Sequence, residues 1–349
     1  MTKPRAPYTT NATLADIAAR LRAATSVALF THSKPDGDAV GSTLSVARAL
    51  IRLGIKATPV YLAPWPSRMD PIVADTRVVH EKHGCWDEPW LKEVDAAAVL
   101  DTGSWGQLAD ARKWLEPRAD ITVLVDHHSH GDGDIAHLRY IDPSSASACE
   151  LAAELCRILL NLDAYRQLPA DIAEPIYLGV STDTGWFRYS NMKPSTLRLA
   201  ADLIEAGVDH NRLYRQVEQA DTPHRLQLIK RALDSLELLD QDRAAIMTIT
   251  KADVTACHAS QDEVGGLTDL PQTIGTVRVI AVLTELEPTL TKVSLRSKAA
   301  NPGQREIDVN ALLNPFGGGG HFHAAGAKIK LPLAETKAKI ARAITEVPK

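Results

Sequence analysis

Five short segments of this 349-residue chain concentrate the side chains that hold divalent cations. Four are Thr31-His-Ser-Lys-Pro-Asp-Gly-Asp38, Leu100-Asp-Thr-Gly103, Val125-Asp-His-His128 and Ser181-Thr-Asp-Thr-Gly185, each following an apolar, strand-like run. The fifth, Phe316-Gly-Gly-Gly-Gly-His-Phe-His-Ala-Ala-Gly326, lies far downstream. Cations such as Mn²⁺ and Mg²⁺ take carboxylate oxygens, and Mn²⁺ also accepts imidazole. Two such ions roughly 3.5–4 Å apart can activate water and stabilise both the attacking and the leaving oxygen of a phosphoester. That chemistry needs several carboxylates, at least one of them shared, with histidines to complete the shells. His32, Asp36, Asp38, Asp101, His127 and Asp183 supply the set. Singly, each has an ordinary explanation: Asp36-Gly37 as a turn, Asp101 as a helix cap, Asp183 as a cap or turn, His127-His128 as an exposed pair. Their ordered recurrence argues for a site.

The elements that must position these residues follow from periodicity. Thr13-Leu-Ala-Asp16 has the form of a helix start, with Leu14, Ile17, Ala18 and Leu21 at helical spacing. Residues 26–31, 56–62, 96–100 and 121–125 are short apolar runs that suit buried strands, with helical stretches at 38–53 and 106–115 between them. Alternating strands and helices imply βαβ units and a mainly parallel sheet, whose ligands gather outside the carboxyl ends of the strands. Asp36, Asp38, Asp101 and Asp126 all fall just beyond such ends. Pro35 stiffens the first loop, Gly37 allows a tight turn, and the amino end of the following helix offers a place for phosphate. Further helices are expected at 148–160, 171–180 and 194–206. Residues 211–239 read as a helical connector. From Ala244 the pattern changes to strands at 244–250, 276–286 and 291–296 and a closing helix at 334–344. The fold class is therefore α/β: a parallel-sheet N-terminal domain, a helical connector and a smaller α/β C-terminal domain.

Composition narrows the function. The apolar fraction is 45%, charged residues make up 23% and the net charge is -4, which fits a globular protein rather than a broadly basic nucleic-acid platform. Four cysteines, Cys85, Cys149, Cys156 and Cys257, form no Cys-x-x-Cys pair and read as reduced thiols of a cytoplasmic protein. There is no signal-like N-terminus and no run long enough to span a bilayer, so no membrane association is expected. In the fifth segment, consecutive glycines let backbone N–H groups approach a phosphate or a nucleotide edge, and His321 adds a directional donor. Arg296 suits bidentate phosphate contact. Phe316, Phe322 and His323 either stack on a base or pack internally. Arg188 either meets a substrate phosphate or braces its own loop.

Asp126-His-His128, preceded by His32-x-x-x-Asp36-x-Asp38 and Asp101 and followed by Asp183-Thr-Gly185, resembles the DHH phosphoesterase superfamily in all four of its motifs. That superfamily includes RecJ-like exonucleases, NrnA-type oligoribonucleases and family II pyrophosphatases. Ser294-Leu-Arg-Ser297 together with Gly317-Gly-Gly-Gly-His321-x-x-Ala-Ala-Gly326 resembles the DHH-associated C-terminal domain of the nucleotide-cleaving branch. The resemblance runs from about residue 12 to residue 330. It implies a catalytic domain over 12–210, a helical linker over 211–243 and a substrate-binding domain over 244–349. It further implies that His32, Asp36 and Asp101 hold one divalent ion, and that Asp38, Asp101, His127 and Asp183 hold the other, Asp101 bridging. Mn²⁺ is the favoured ion and Mg²⁺ the alternative. His128, with Asp38 and Asp101, belongs to the catalytic group and faces the scissile phosphate, while Asp126 orients a neighbouring imidazole. Arg296, Ser297, Gly318, Gly319, Gly320, His321 and Arg188 form the expected substrate contacts. The implied activity is a metal-dependent exoribonuclease that degrades very short RNA to mononucleotides, with 3′-phosphoadenosine 5′-phosphate as a further substrate. Hydrolysis of linear or cyclic dinucleotides is the nearest alternative, and a non-catalytic nucleotide sensor the alternative from another class. A homodimer is expected from the resemblance alone. Many relatives carry an Asn soon after the Asp-His-His motif, where this chain has Ser129-His-Gly-Asp-Gly133, so a substrate contact there is altered.

Overall fold

The computed structural model describes residues 7–81 and 85–347, and the side chains of Cys85, Ala109, Gln261, Asp262 and His321 lie outside the described set. The chain divides into two units between Ala220 and Asp221.

The first unit is a six-stranded parallel sheet, β1 (Ser26–Phe30), β2 (Lys56–Tyr61), β3 (Val79–His80), β4 (Ala96–Leu100), β5 (Thr122–Asp126) and β6 (Leu138–Ile141), in the order β3-β2-β1-β4-β5-β6. β1, β4 and β5 are buried along their whole length, as strands covered on both faces must be. One face packs against α1 (Leu14–Arg22), α2 (Gly37–Arg52), α3 (Ala148–Leu159) and α4 (Ala170–Asp183), joined by α5 (Pro194–Glu205) and α6 (His210–Glu218). The other face packs Phe30, Val99 and Leu124 against Trp105, Leu108, Trp114 and Leu115, which lie on short helical turns rather than one continuous helix. The strand order reverses between β1 and β4, so the loops after these two strands open onto one crevice, the expected ligand position.

The helix expected at 171–180 forms as α4 and runs on to Asp183, its last residue, so Asp183 sits at a helix end and not at a strand end. Gly37, expected in a tight turn of the loop, is helical. It lies in the first turn of α2, and what it lacks is bulk: a Cβ there would stand 2.3 Å from Thr182 Oγ1 on α4. The same close crossing continues at Gly41, whose Cβ would lie 2.2 Å from the Pro175 carbonyl, and at Gly179, where it would lie 2.2 Å from Cys149 Sγ and 2.8 Å from Asp38 Oδ1.

The second unit has a mixed sheet, β7 (Glu237–Leu239), β8 (Ala244–Ile249), β9 (Val279–Glu287), β10 (Leu290–Ser297), β11 (Gly319–His321) and β12 (Ala324–Ile329), in the order β11-β12-β10-β9-β8-β7. Only β8 and β9 pair in parallel. Along β9 the faces alternate. Ala281 and Leu283 join a core with α9 (Val309–Leu313) and α10 (Leu333–Thr345), and Val282 joins a core with α7 (Pro223–Asp234) and α8 (Lys251–Ala256). The stretch 211–243 does not stand apart as a linker. Leu213 and Val217 of α6 join the first unit's core, Leu228 and Ala232 of α7 join the second's, and β7 is a sheet edge. Among the described residues no helix is long and apolar enough to cross a membrane.

The α2–α4 crossing generates a test. Gly41→Ala places a methyl against the Pro175 carbonyl and should cost about 1–3 kcal/mol, read as a lower urea midpoint. An unchanged midpoint would show that the helices do not approach so closely.

Candidate metal centre

The crevice between β1 and β4 gathers the predicted residues. His32 and Asp36 come from the loop after β1, Asp38 from the first turn of α2, Asp101 from the end of β4, His127 from the end of β5 and Asp183 from the end of α4. Asp101 adopts φ +60°, an uncommon left-handed geometry for a non-glycine residue that re-aims its carboxylate as the strand ends. Its two oxygens face opposite ways. Oδ2 lies 3.4 Å from His32 Nε2, and Oδ1 lies 3.4 Å from His127 Nε2. His32 Nε2 is also 3.7 Å from Asp36, and His127 Nε2 is 3.8 Å from Asp38 and 3.7 Å from Asp183. Three overlapping groups result: His32, Asp36 and Asp101; Asp38, His127 and Asp183; and Asp101, His127 and His128.

The surroundings fix both imidazoles. His32 Nδ1 meets the Ser33 carbonyl at 2.9 Å and His127 Nδ1 the Ser145 carbonyl at 3.4 Å, so each Nε2 turns toward the cluster. Asp38, which is buried, accepts hydrogen bonds from the Ala148 and Cys149 amides at 2.6 and 2.8 Å, the positive amino end of α3. The sequence analysis missed this contact. The signal available was Ser147 three residues before Glu150, an N-terminal helix cap. The amino end of α2, expected to face phosphate, is already occupied. Asp36 Oδ1 accepts from the Asp38 and Ala39 amides.

Burial and the neighbouring charges together set the electrostatics. Burial, then Asp101 and Asp183, raise the Asp38 carboxyl above its ordinary range. Burial pushes Asp183 up to about 7, with His127 opposing and Asp101 and Asp36 adding to the rise. Burial alone would lower His32 and His127, but the neighbouring carboxylates outweigh it. Asp101 and Asp36 hold His32 up to about 11, and Asp101, Asp38 and Asp183 hold His127 up to about 10. Among the described residues, none of the four clustered aspartates pairs with a lysine or arginine. Converging carboxylates without such partners, two of them buried, are the donor set of a cation site. The imidazole–carboxylate gaps of 3.4–3.8 Å are too long for direct hydrogen bonds and leave room for an ion between the groups.

Beside this cluster, His128 Nδ1 lies 2.8 Å from Asp126 Oδ1, which also accepts the His127 amide at 2.8 Å. Tyr8 Oη donates to Asp126 Oδ2. Burial and then Asp126 push the Tyr8 phenol far above its ordinary range, so it remains a donor. No sequence signal pointed to Tyr8.

A model of the DHH family N-terminal domain matches residues 26–180, and one of the DHHA1 domain matches residues 249–348. This chain belongs to the DHH phosphoesterase family. It is 29% identical to the bifunctional oligoribonuclease and PAP phosphatase NrnA of Thermus thermophilus, over 91% of this chain and 89% of that protein. Its fold matches that of an exopolyphosphatase-related protein from Bacteroides fragilis, with TM-score 0.85, 22% identity and coverage of 99% and 97%. It also matches exonuclease RecJ bound to manganese, with TM-score 0.58, 16% identity and coverage of 99% and 97%.

In the DHHA1 domain of this DHH protein, Arg296 is half-buried on β10, and among the described residues it makes no ion pair, only a 3.2 Å bond to the Leu295 carbonyl. The backbones of Arg296, Ala324 and His321 lie in one cross-strand row. The Ser297 hydroxyl is held by the Ile307 carbonyl at 2.8 Å and by His323 Nδ1 at 2.9 Å. The Gly318 amide donates to the Leu313 carbonyl, which removes it from the expected phosphate cradle. A Cβ at Gly318 or Gly320 would strike β12, whereas Gly319 meets only Asn310 Oδ1 at 4.0 Å. Gly318 and Gly320 thus serve the hairpin, and Gly319 keeps its open side. Arg188 is exposed and donates through Nε to the Gly185 carbonyl at 2.6 Å, which braces its own loop. Within the segment Ser129–Gly133 the Ser129 hydroxyl meets His130 Nδ1 at 2.7 Å.

Cation binding must displace the protons that the carboxylates hold on His32 and His127. Those protons are retained until the pH passes the raised values, so Mn²⁺ affinity should climb steadily from about pH 6 to about pH 9. Titration calorimetry in buffers of different ionisation enthalpy should register proton release. Affinity that is flat across this window would remove the two histidines from the binding set.

Proposed function

We propose that this phosphoester hydrolase uses two divalent ions to degrade very short RNA to mononucleotides and also dephosphorylates 3′-phosphoadenosine 5′-phosphate. The observation that carries the reading is the divided Asp101 carboxylate, with one oxygen toward His32 and the other toward His127, beside His128. His32, Asp36 and Asp101 would hold one ion and Asp38, Asp101, His127 and Asp183 the other, and two imidazoles favour Mn²⁺ over Mg²⁺. When bound, the ions supply water activation and neutralise charge on the phosphoryl oxygens. The chain's own residues do the rest. Asp126 fixes the His128 ring, and His128 Nε2 faces the scissile phosphate, where it stabilises developing charge or protonates the leaving oxygen.

Arg296, Ser297, Gly319 and His321 are assigned to nucleotide binding, with Arg296 supplying the bidentate phosphate contact, while Gly318 and Gly320 shape the hairpin that carries the loop and Arg188 braces its own loop. The free, buried Cys149, Cys156 and Cys257 support a cytoplasmic setting, and the homodimer rests on the family resemblance. The names of the relatives support the substrate class: the Thermus protein, matched over nearly its full length, is called an oligoribonuclease and PAP phosphatase.

Turnover should be compared on a dinucleotide, a five-nucleotide RNA, a long RNA, a cyclic dinucleotide and 3′-phosphoadenosine 5′-phosphate. The two shortest RNAs and 3′-phosphoadenosine 5′-phosphate should be consumed and the long RNA spared. No product from any of them with Mn²⁺ present would sink the proposal. Asp101→Asn should reduce turnover to background, and near-normal turnover would refute the bridging role. Arg296→Ala should raise KM about 10- to 100-fold with kcat little changed. A fall in kcat alone would move Arg296 out of ground-state binding.

A further inference from the structure

A tyrosine far from every motif reaches the catalytic histidine through one carboxylate. Residues 9–12 are stitched along the outer edge of β6. The Asn11 and Ala12 amides donate to the Arg139 carbonyl at 3.0 and 3.2 Å, Thr10 Oγ1 donates to the Ile141 carbonyl at 2.7 Å, and the Ile141 amide donates back to Thr10 Oγ1 at 2.8 Å. This seam delivers the preceding residue, Tyr8, to the loops after β4 and β5. Both loops make room for its ring. A Cβ at Gly103 would stand 2.0 Å from Tyr8 Oη, and one at Gly131 would stand 2.6 Å from Tyr8 Cε2.

The two oxygens of Asp126 divide their work. Oδ1 receives the His127 amide, the His128 amide at 3.3 Å and His128 Nδ1 at 2.8 Å, while Oδ2 receives the Tyr8 hydroxyl. Asp126 is fully buried, so solvent does not replace a lost donor. A carboxylate held at both oxygens cannot rotate, and neither can the imidazole bound to it.

We propose that Tyr8 is a positioning residue: its hydroxyl locks the Asp126 carboxylate and thereby sets the ring orientation of His128. This rests on the assignment of His128 to the scissile phosphate. Tyr8→Phe keeps the ring over Gly103 and Gly131 and removes only the donor. On an RNA dinucleotide with Mn²⁺, kcat should fall about 10- to 100-fold, with KM within about twofold and the thermal midpoint within about 2 °C of the parent protein. Tyr8→Phe combined with Asp126→Asn should be no slower than Asp126→Asn alone, because the tyrosine acts through that carboxylate. In the metal-free protein, the His128 ring N–H should exchange faster with water in Tyr8→Phe, as seen by ¹⁵N NMR. Parental kcat, multiplicative losses in the double variant or unchanged ring exchange would each overturn the proposal. Failure of the parent protein to cleave the dinucleotide would instead overturn the functional reading on which it rests.

Discussion

Four aspartates converge on one crevice, Asp38 and Asp101 buried, Asp183 half-buried and Asp36 exposed, and the first unit holds them together against their like charge. Two of the carboxylates are gripped by backbone amides, and the other two are placed by the elements they end. Asp36 is held by two amides at the start of α2, Asp38 by two amides at the start of α3, and Asp101 and Asp183 by their places at the ends of β4 and α4. Burial, with the neighbouring carboxylates adding to it, raises the carboxyls of Asp38 and Asp183, and the same carboxylates make His32 and His127 keep their protons well above neutrality. A site strained by like charge is ready for a divalent cation, which relieves the strain instead of adding to it.

The same constraint explains the small residues packed around the crevice. Asp38 and Asp183 come from different helices, and the two can converge only if α2 and α4 cross closely. Gly37, Gly41 and Gly179 permit that approach. Beyond Asp183 the chain turns through three consecutive left-handed residues, Gly185, Trp186 and Phe187. Such geometry costs of order 1–3 kcal/mol per non-glycine residue, and aromatic anchors hold it. Trp186 Nε1 donates to Glu218 at 3.0 Å and packs edge-on against Tyr214, and Phe187 packs against Tyr177.

Much of this was legible in the chain. The strands that frame the crevice are short apolar runs with clear ends, and five of the six expected ligands meet because parallel strands share one carboxyl rim, with Asp183 joining them from the end of α4. Other features were illegible for physical reasons. The edge strands β3 and β6 are brief and only half-buried, so their periodicity is weak. The strand order, which brings β4 beside β1, is a long-range pairing with no local signature. Tyr8 meets Asp126 across 118 positions of sequence, in a polar segment with no pattern of its own. In the glycine loop, composition alone did not separate glycines that the hairpin requires from one that leaves open space. That distinction rests on where β12 lies.

The seam between residues 9–12 and β6 has a consequence for solubility. A sheet that ends in an unpaired strand offers its amides and carbonyls to any passing strand, including one from another copy of the same chain. Here the outward groups of Arg139 and Ile141 are satisfied by Thr10, Asn11 and Ala12, largely through side chains rather than by a further strand. An edge finished in this irregular way cannot be extended strand by strand. The segment that brings Tyr8 to Asp126 therefore also closes the β6 edge of this sheet to growth into an aggregate.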